Sequence, residues 1–64
     1  MTPKTTKILL VDDEYLALNL LESYVQQVPG TLLIAKCKSA LEAMEVLQQE
    51  EVDIMFLDIQ MPGM

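Results

Sequence analysis

A chain of 64 residues with a formal net charge of −6 and 52% apolar residues has room for one small acidic globular unit and is too apolar for a disordered tail. Its four lysines, at positions 4, 7, 36 and 38, form no basic run and no Arg or His accompanies them, so no direct nucleic-acid contact is expected of this segment. No apolar run approaches the ~20 residues needed to span a bilayer, and the opening MTPKTTK lacks the apolar core of a signal peptide, which predicts a cytoplasmic protein without membrane contact.

Residues 1–6 are polar, carry Pro3 and are expected to be disordered. Residues 7–11 (KILLV) form a short continuous apolar run stopped by Asp12 and Asp13, the pattern of a strand buried on both faces of a parallel sheet. From Glu14 to Val28 the apolar positions Leu18, Leu21, Val25 and Val28 recur at helical spacing, joined by Ala17, Leu20 and Tyr24, until Pro29-Gly30 ends the pattern. Residues 31–38 (TLLIAKCK) begin apolar and end by alternating, which predicts an edge strand with one wetter face. Cys37 has no partner in the chain and reads as a small core or strand-end residue. Ser39 and Glu42 form a capping box ahead of a second helix whose buried stripe is expected to be Ala40, Ala43, Met44 and Leu47, ending near Gln49. Residues 52–57 close the series as a third strand.

The order βαβαβ implies parallel strands with right-handed crossovers. Strand order 2-1-3 fits better than 1-2-3, because it places the most apolar strand in the centre and the lysine-bearing one at an edge. It also puts one helix on each face and a reversal of winding between strands 1 and 3, where open α/β sheets of the flavodoxin-like kind form a ligand crevice. The third strand is then a puzzle. Ile54, Met55, Phe56 and Leu57 are continuously apolar, as if covered on both faces, yet strand 3 lies at an edge of a three-stranded sheet. A chain this small buries only about 60% of its unfolded surface, so its core is marginal without help from outside. Either more chain supplies the neighbour, or a second copy does.

In this order Asp12 and Asp13 at the end of strand 1 and Asp58 at the end of strand 3 share one crevice. Like charges so placed either raise one another's pKa values or take up a cation. Mg²⁺, a hard ion that accepts carboxylate and carbonyl oxygens, is the natural choice, and a carboxylate beside it can act as a nucleophile toward phosphorus. Taken singly, Asp12 and Asp13 could merely cap the first helix and Asp58 open the Pro62-Gly63 turn. A Walker-type or dinucleotide site is disfavoured, because VDDEYLA offers no Gly for phosphate to approach the backbone.

LLVDDEYLA followed by VDIMFLDIQMPGM resembles the first half of a response-regulator receiver domain of two-component signalling, from Lys7 onward. The resemblance implies that residues 7–64 are the N-terminal half of that domain, lacking strands 4-5 and helices 3-5 and the hydroxyl, lysine and aromatic residues they carry. It further implies Asp58 as the phospho-acceptor for a histidine kinase or a small phosphodonor. Asp13 would bind Mg²⁺ directly, Asp12 through water, and Gln60 through its backbone carbonyl. The wording DDEYLAL and FLDIQMPGM is most similar to receivers that precede a LytTR-type DNA-binding domain, which implies a transcriptional output. On this reading the segment is a phospho-acceptor and not an enzyme. Two alternatives remain open at this level: a truncated receiver without chemistry that forms a homo-oligomer through Ile54 to Leu57, and a phosphohydrolase, for which Asp58-Ile59-Gln60 supplies no general acid or base.

Overall fold

The computed structural model describes residues 4–58. Its elements follow the predicted order: β1 (Thr6–Asp12), α1 (Tyr15–Gln26), β2 (Thr31–Cys37), α2 (Ala40–Gln49) and β3 (Ile54–Asp58). The three strands pair in parallel in the order β2-β1-β3, a doubly wound α/β arrangement with one helix on each face.

The central strand builds both cores by simple alternation, since successive side chains of a strand leave on opposite faces. Ile8 and Leu10 pack with Leu18 and Val25 of α1. Leu9 and Val11 pack with Cys37 and with Ala43 of α2 on the other face. Leu9, Leu10, Val11 and Leu18 are fully enclosed, each contributing about 1.5–3 kcal/mol through removal of apolar surface from water. Burial beside Leu9, Val11 and Ala43 makes Cys37 a core residue, and desolvation pushes its thiol above the ordinary cysteine range, with the charges of Glu42 and Glu45 adding to the effect.

Local signals set the boundaries. Gly30 takes φ of +81°, a conformation that favours glycine, and its carbonyl accepts from the Thr6 N–H at 2.8 Å, seating the start of β1. Helix α1 stops at Gln26, short of the expected Val28, because Gln27 already bonds back to the Tyr24 and Val25 carbonyls. Ser39 caps α2, its hydroxyl accepting from the Glu42 N–H at 3.2 Å. Glu42 reaches one residue beyond the usual capping-box donor and accepts from the Lys38 N–H at 3.0 Å. Asp53, which the sequence did not mark, clasps the entry of β3 to β1: its N–H donates to the Lys7 carbonyl and its carboxylate accepts from the Lys7 N–H, both at 2.8 Å. Strand β3 therefore begins at Ile54, two residues later than expected.

The predicted helix stripes need correction. Leu20, Tyr24 and Val28 are exposed, as are Ala40, Met44 and Leu47 of the second stripe. What α2 lays on the sheet is Ala43, with Val46 partly buried beside it. Each helix is wide enough to cover β1 and β2, and among the described residues neither makes appreciable contact with β3. Ile54, Met55, Phe56 and Leu57 are accordingly 42–56% exposed, so the puzzle of an apolar edge strand is present in the structure. On the α1 side an open apolar groove of about 510 Å³ runs between Ile8, Leu10, Leu21, Val25, Ile54 and Phe56.

Candidate functional site

Strands β1 and β3 both finish on a carboxylate, and their register sets Asp12 directly beside Asp58. Neighbouring residues in parallel register share a face. That face is the α1 side, since two residues earlier Leu10 packs against α1 and Phe56 lines the same groove. The two acidic residues differ in environment: Asp12 is only 4% exposed, whereas Asp58 is open to solvent.

Asp12 bends the chain out of the sheet. Its Oδ1 accepts from the Glu14 N–H at 2.8 Å, the local turn that a short carboxylate makes with the backbone two residues on. Glu14 then caps α1, with Oε1 accepting from the Leu16 N–H at 3.4 Å. The helix cap is thus Glu14 and neither aspartate, so capping alone does not account for the pair. Asp13, exposed between them, accepts no hydrogen bond among the described residues, and neither do Asp58 and the second oxygen of Asp12. Glu14 was missed as the cap because Asp is the stronger N-cap residue in general; the signal available was its place just before the first apolar-periodic residue.

The lysines sit elsewhere or apart. Lys4 and Lys7 lie at the amino ends of the strands, 3.9 Å from Asp53 and Glu51 respectively. Lys36 crosses from β2 to α1, where it donates to Glu22 at 2.8 Å and Asn19 at 3.3 Å; the Glu22 bond holds its ammonium above the ordinary lysine range. No lysine forms an ion pair with Asp12, Asp13 or Asp58 among the described residues.

The donor set at this end is hard oxygen only, which suits a divalent cation of the Mg²⁺ kind and not a soft metal. In the conformations present, no three acidic, His or Cys side chains converge on one point among the described residues. Register therefore brings Asp12 and Asp58 together as neighbours and places Asp13 at the following position, outside the strand, without closing them into a cage. Gln60, expected to offer its carbonyl, and the Pro62-Gly63 turn lie outside the described residues.

The profile of the response regulator receiver domain matches residues 8–64, and the chain belongs to that family, the signalling domain of two-component response regulators. The chain is 38% identical over 56 residues to the transcriptional regulatory protein BtsR of Escherichia coli (strain K12), covering 88% of this chain and 23% of that protein. It is 39% identical over 56 residues to an uncharacterized response regulatory protein of Yersinia pestis, covering 88% of this chain and 24% of that one. It is also 35% identical over 65 residues to stress response regulator protein 1 of Debaryomyces hansenii, covering 98% of this chain and 27% of that protein. The chain thus spans about a quarter of the length of the curated relatives it matches. No solved structure matches it. No helix among the described residues is long and apolar enough to cross a membrane.

Proposed function

We propose that this segment is the acceptor half of a phosphorylated receiver, with Asp58 as the residue that takes the phosphoryl group from a histidine kinase or a small phosphodonor. The observation that carries the reading is the register that sets Asp58 beside the buried Asp12, at the ends of adjacent parallel strands. An Asp58 carboxylate oxygen attacks phosphorus, a new O–P bond forms, and the N–P bond of a phosphohistidine breaks with its electron pair leaving on the imidazole nitrogen, which a proton then satisfies. Asp13 and Asp58 would hold Mg²⁺ directly, Asp12 through water, and Gln60 through its carbonyl. When bound, the ion supplies positive charge that neutralises the phosphoryl oxygens. Asp12, tied by one oxygen to the Glu14 N–H, fixes the path along which Asp13 is presented. Phosphorylation in this 64-residue chain is slow, because among the described residues no lysine forms an ion pair at the acceptor that would also contact the developing phosphoryl charge. In a protein of the relatives' length the acceptor controls an output domain, transcriptional and of LytTR type on the wording of the two motifs, in the cytoplasm.

Magnesium binding tests the ligand assignment apart from any transfer. Asp13→Asn weakens Mg²⁺ affinity on the order of tenfold or more, as expected for loss of a charged direct ligand, while Asp12→Asn has the smaller effect of a residue acting through water. Calorimetric titration of both variants checks the order, and equal affinities would remove the assignment.

A second reading rests on β3. Its open edge and the 42–56% exposure of Ile54, Met55, Phe56 and Leu57 suit a homo-oligomer in which two copies continue one sheet. Sedimentation of the chain shows a dimer on that reading, and Met55→Lys with Leu57→Lys returns it to monomer; a folded monomer from the outset contradicts it.

A further inference from the structure

Lys4, Lys7 and Lys36 lie 3.9, 3.9 and 2.8 Å from Asp53, Glu51 and Glu22. Lys38 is the one lysine without a carboxylate partner among the described residues. Its ammonium lies instead over the ring of Tyr15, 5.7 Å from the centroid, on the first residue of α1. Tyr15 follows Asp12 by three positions, so this contact brings the ammonium to the acidic end of the sheet.

Register places the charge more closely. Cys37 pairs with Val11 across β2 and β1, and Asp12 pairs with Asp58 across β1 and β3. Lys38 follows Cys37, the last residue of β2, at the same carboxyl end of the sheet where Asp12 and Asp58 close β1 and β3. The contact with Tyr15 holds the Lys38 ammonium on the α1 side, the side on which Asp12 and Asp58 follow Leu10 and Phe56. Glu42, the nearest carboxylate along the chain from Lys38, is engaged by the Lys38 N–H and the Ser39 hydroxyl. Among the described residues, the end of the sheet thus gathers Asp12, Asp13, Glu14 and Asp58 with Lys38 as the nearby cation.

We propose that Lys38 is the resident counter-charge of the Asp12, Asp13 and Asp58 group and sets its affinity for a divalent cation. The inference rests on the reading of that group as a metal-binding acceptor site. A fixed positive charge at this end of the sheet opposes entry of a second cation, and at low ionic strength a unit charge roughly 10 Å from a divalent ion in water changes its affinity about 2- to 5-fold. Lys38 lowers the affinity of the site without touching the ion, and its effect is screened by salt.

The test is Mg²⁺ titration of the chain in 10 mM and 500 mM salt, comparing wild type with Lys38→Gln, Lys38→Glu, Lys38→Arg and Lys4→Gln, with circular dichroism confirming that each folds. Lys4→Gln makes the same change in net charge at the opposite end of the strands and serves as the control for overall charge. Lys38→Gln binds Mg²⁺ about 2- to 5-fold more tightly at low salt, Lys38→Glu more tightly still, and Lys38→Arg and Lys4→Gln as wild type; the differences collapse in 500 mM salt. Equal tightening in Lys38→Gln and Lys4→Gln, or none in either, overturns the role of Lys38 while leaving the metal site standing. Absence of Mg²⁺ binding by folded wild type removes the metal-site reading and this inference with it.

Discussion

Leu10→Ala unfolds the chain at ordinary temperature. Leu10 is fully enclosed within β1 and belongs to the buried cluster with Ile8, Leu18 and Val25. Truncating a leucine in such a place costs about 2–5 kcal/mol, the sum of lost transfer free energy and the cavity left behind. A domain of this size has a total stability of roughly 3–10 kcal/mol. The one loss is comparable with the whole. Leu16 provides the contrast: at 72% exposed on α1 it is the same residue type in a better helical position, and its change to Ala alters stability by no more than about 0.5 kcal/mol. Urea titrations followed by circular dichroism compare the two variants, and a Leu10→Ala midpoint equal to that of Leu16→Ala contradicts the assignment of β1 as the core.

Asp58→Asn removes phosphoryl acceptance altogether while leaving the fold intact. Asp58 is exposed and accepts no hydrogen bond among the described residues, so the amide replaces it without a buried polar group losing its partner. The loss is chemical: a carboxylate oxygen is a competent nucleophile toward phosphorus and a carboxamide is not. Asp13→Asn behaves differently, because it removes a charge that supports the transfer and keeps the nucleophile, so residual phosphorylation survives. The two substitutions therefore separate a nucleophile from a ligand, which binding measurements alone do not.

Much of this was legible in the residues. The KILLV run stopped by two aspartates marks a central parallel strand, and the lysines at the end of β2 mark an edge, which together select the 2-1-3 order. Once that order holds, the pairing of Asp12 with Asp58 follows from topology. The helix stripes were less legible, and the reason is physical. Periodicity shows which residues are apolar on one side of a helix, but burial depends on how far the neighbouring surface extends. Two helices over a three-stranded sheet cover β1 and β2 and leave Met44, Leu47 and all of β3 in the open. Asp53 and Glu14 were invisible for another reason. Their work is to accept from backbone N–H groups, and any acidic residue at a strand entry or a helix start is able to do it, so residue type alone does not single them out.

The central claim is that Asp58 accepts a phosphoryl group, and intact mass spectrometry of the purified chain tests it most directly. The chain and its Asp58→Asn variant are incubated with a small phosphodonor in the presence and absence of Mg²⁺. The account predicts slow gain of a single phosphoryl group by wild type, dependent on Mg²⁺, and none by the variant. A wild-type chain that stays unmodified while folded and Mg²⁺-bound, or an adduct that persists in Asp58→Asn, contradicts it.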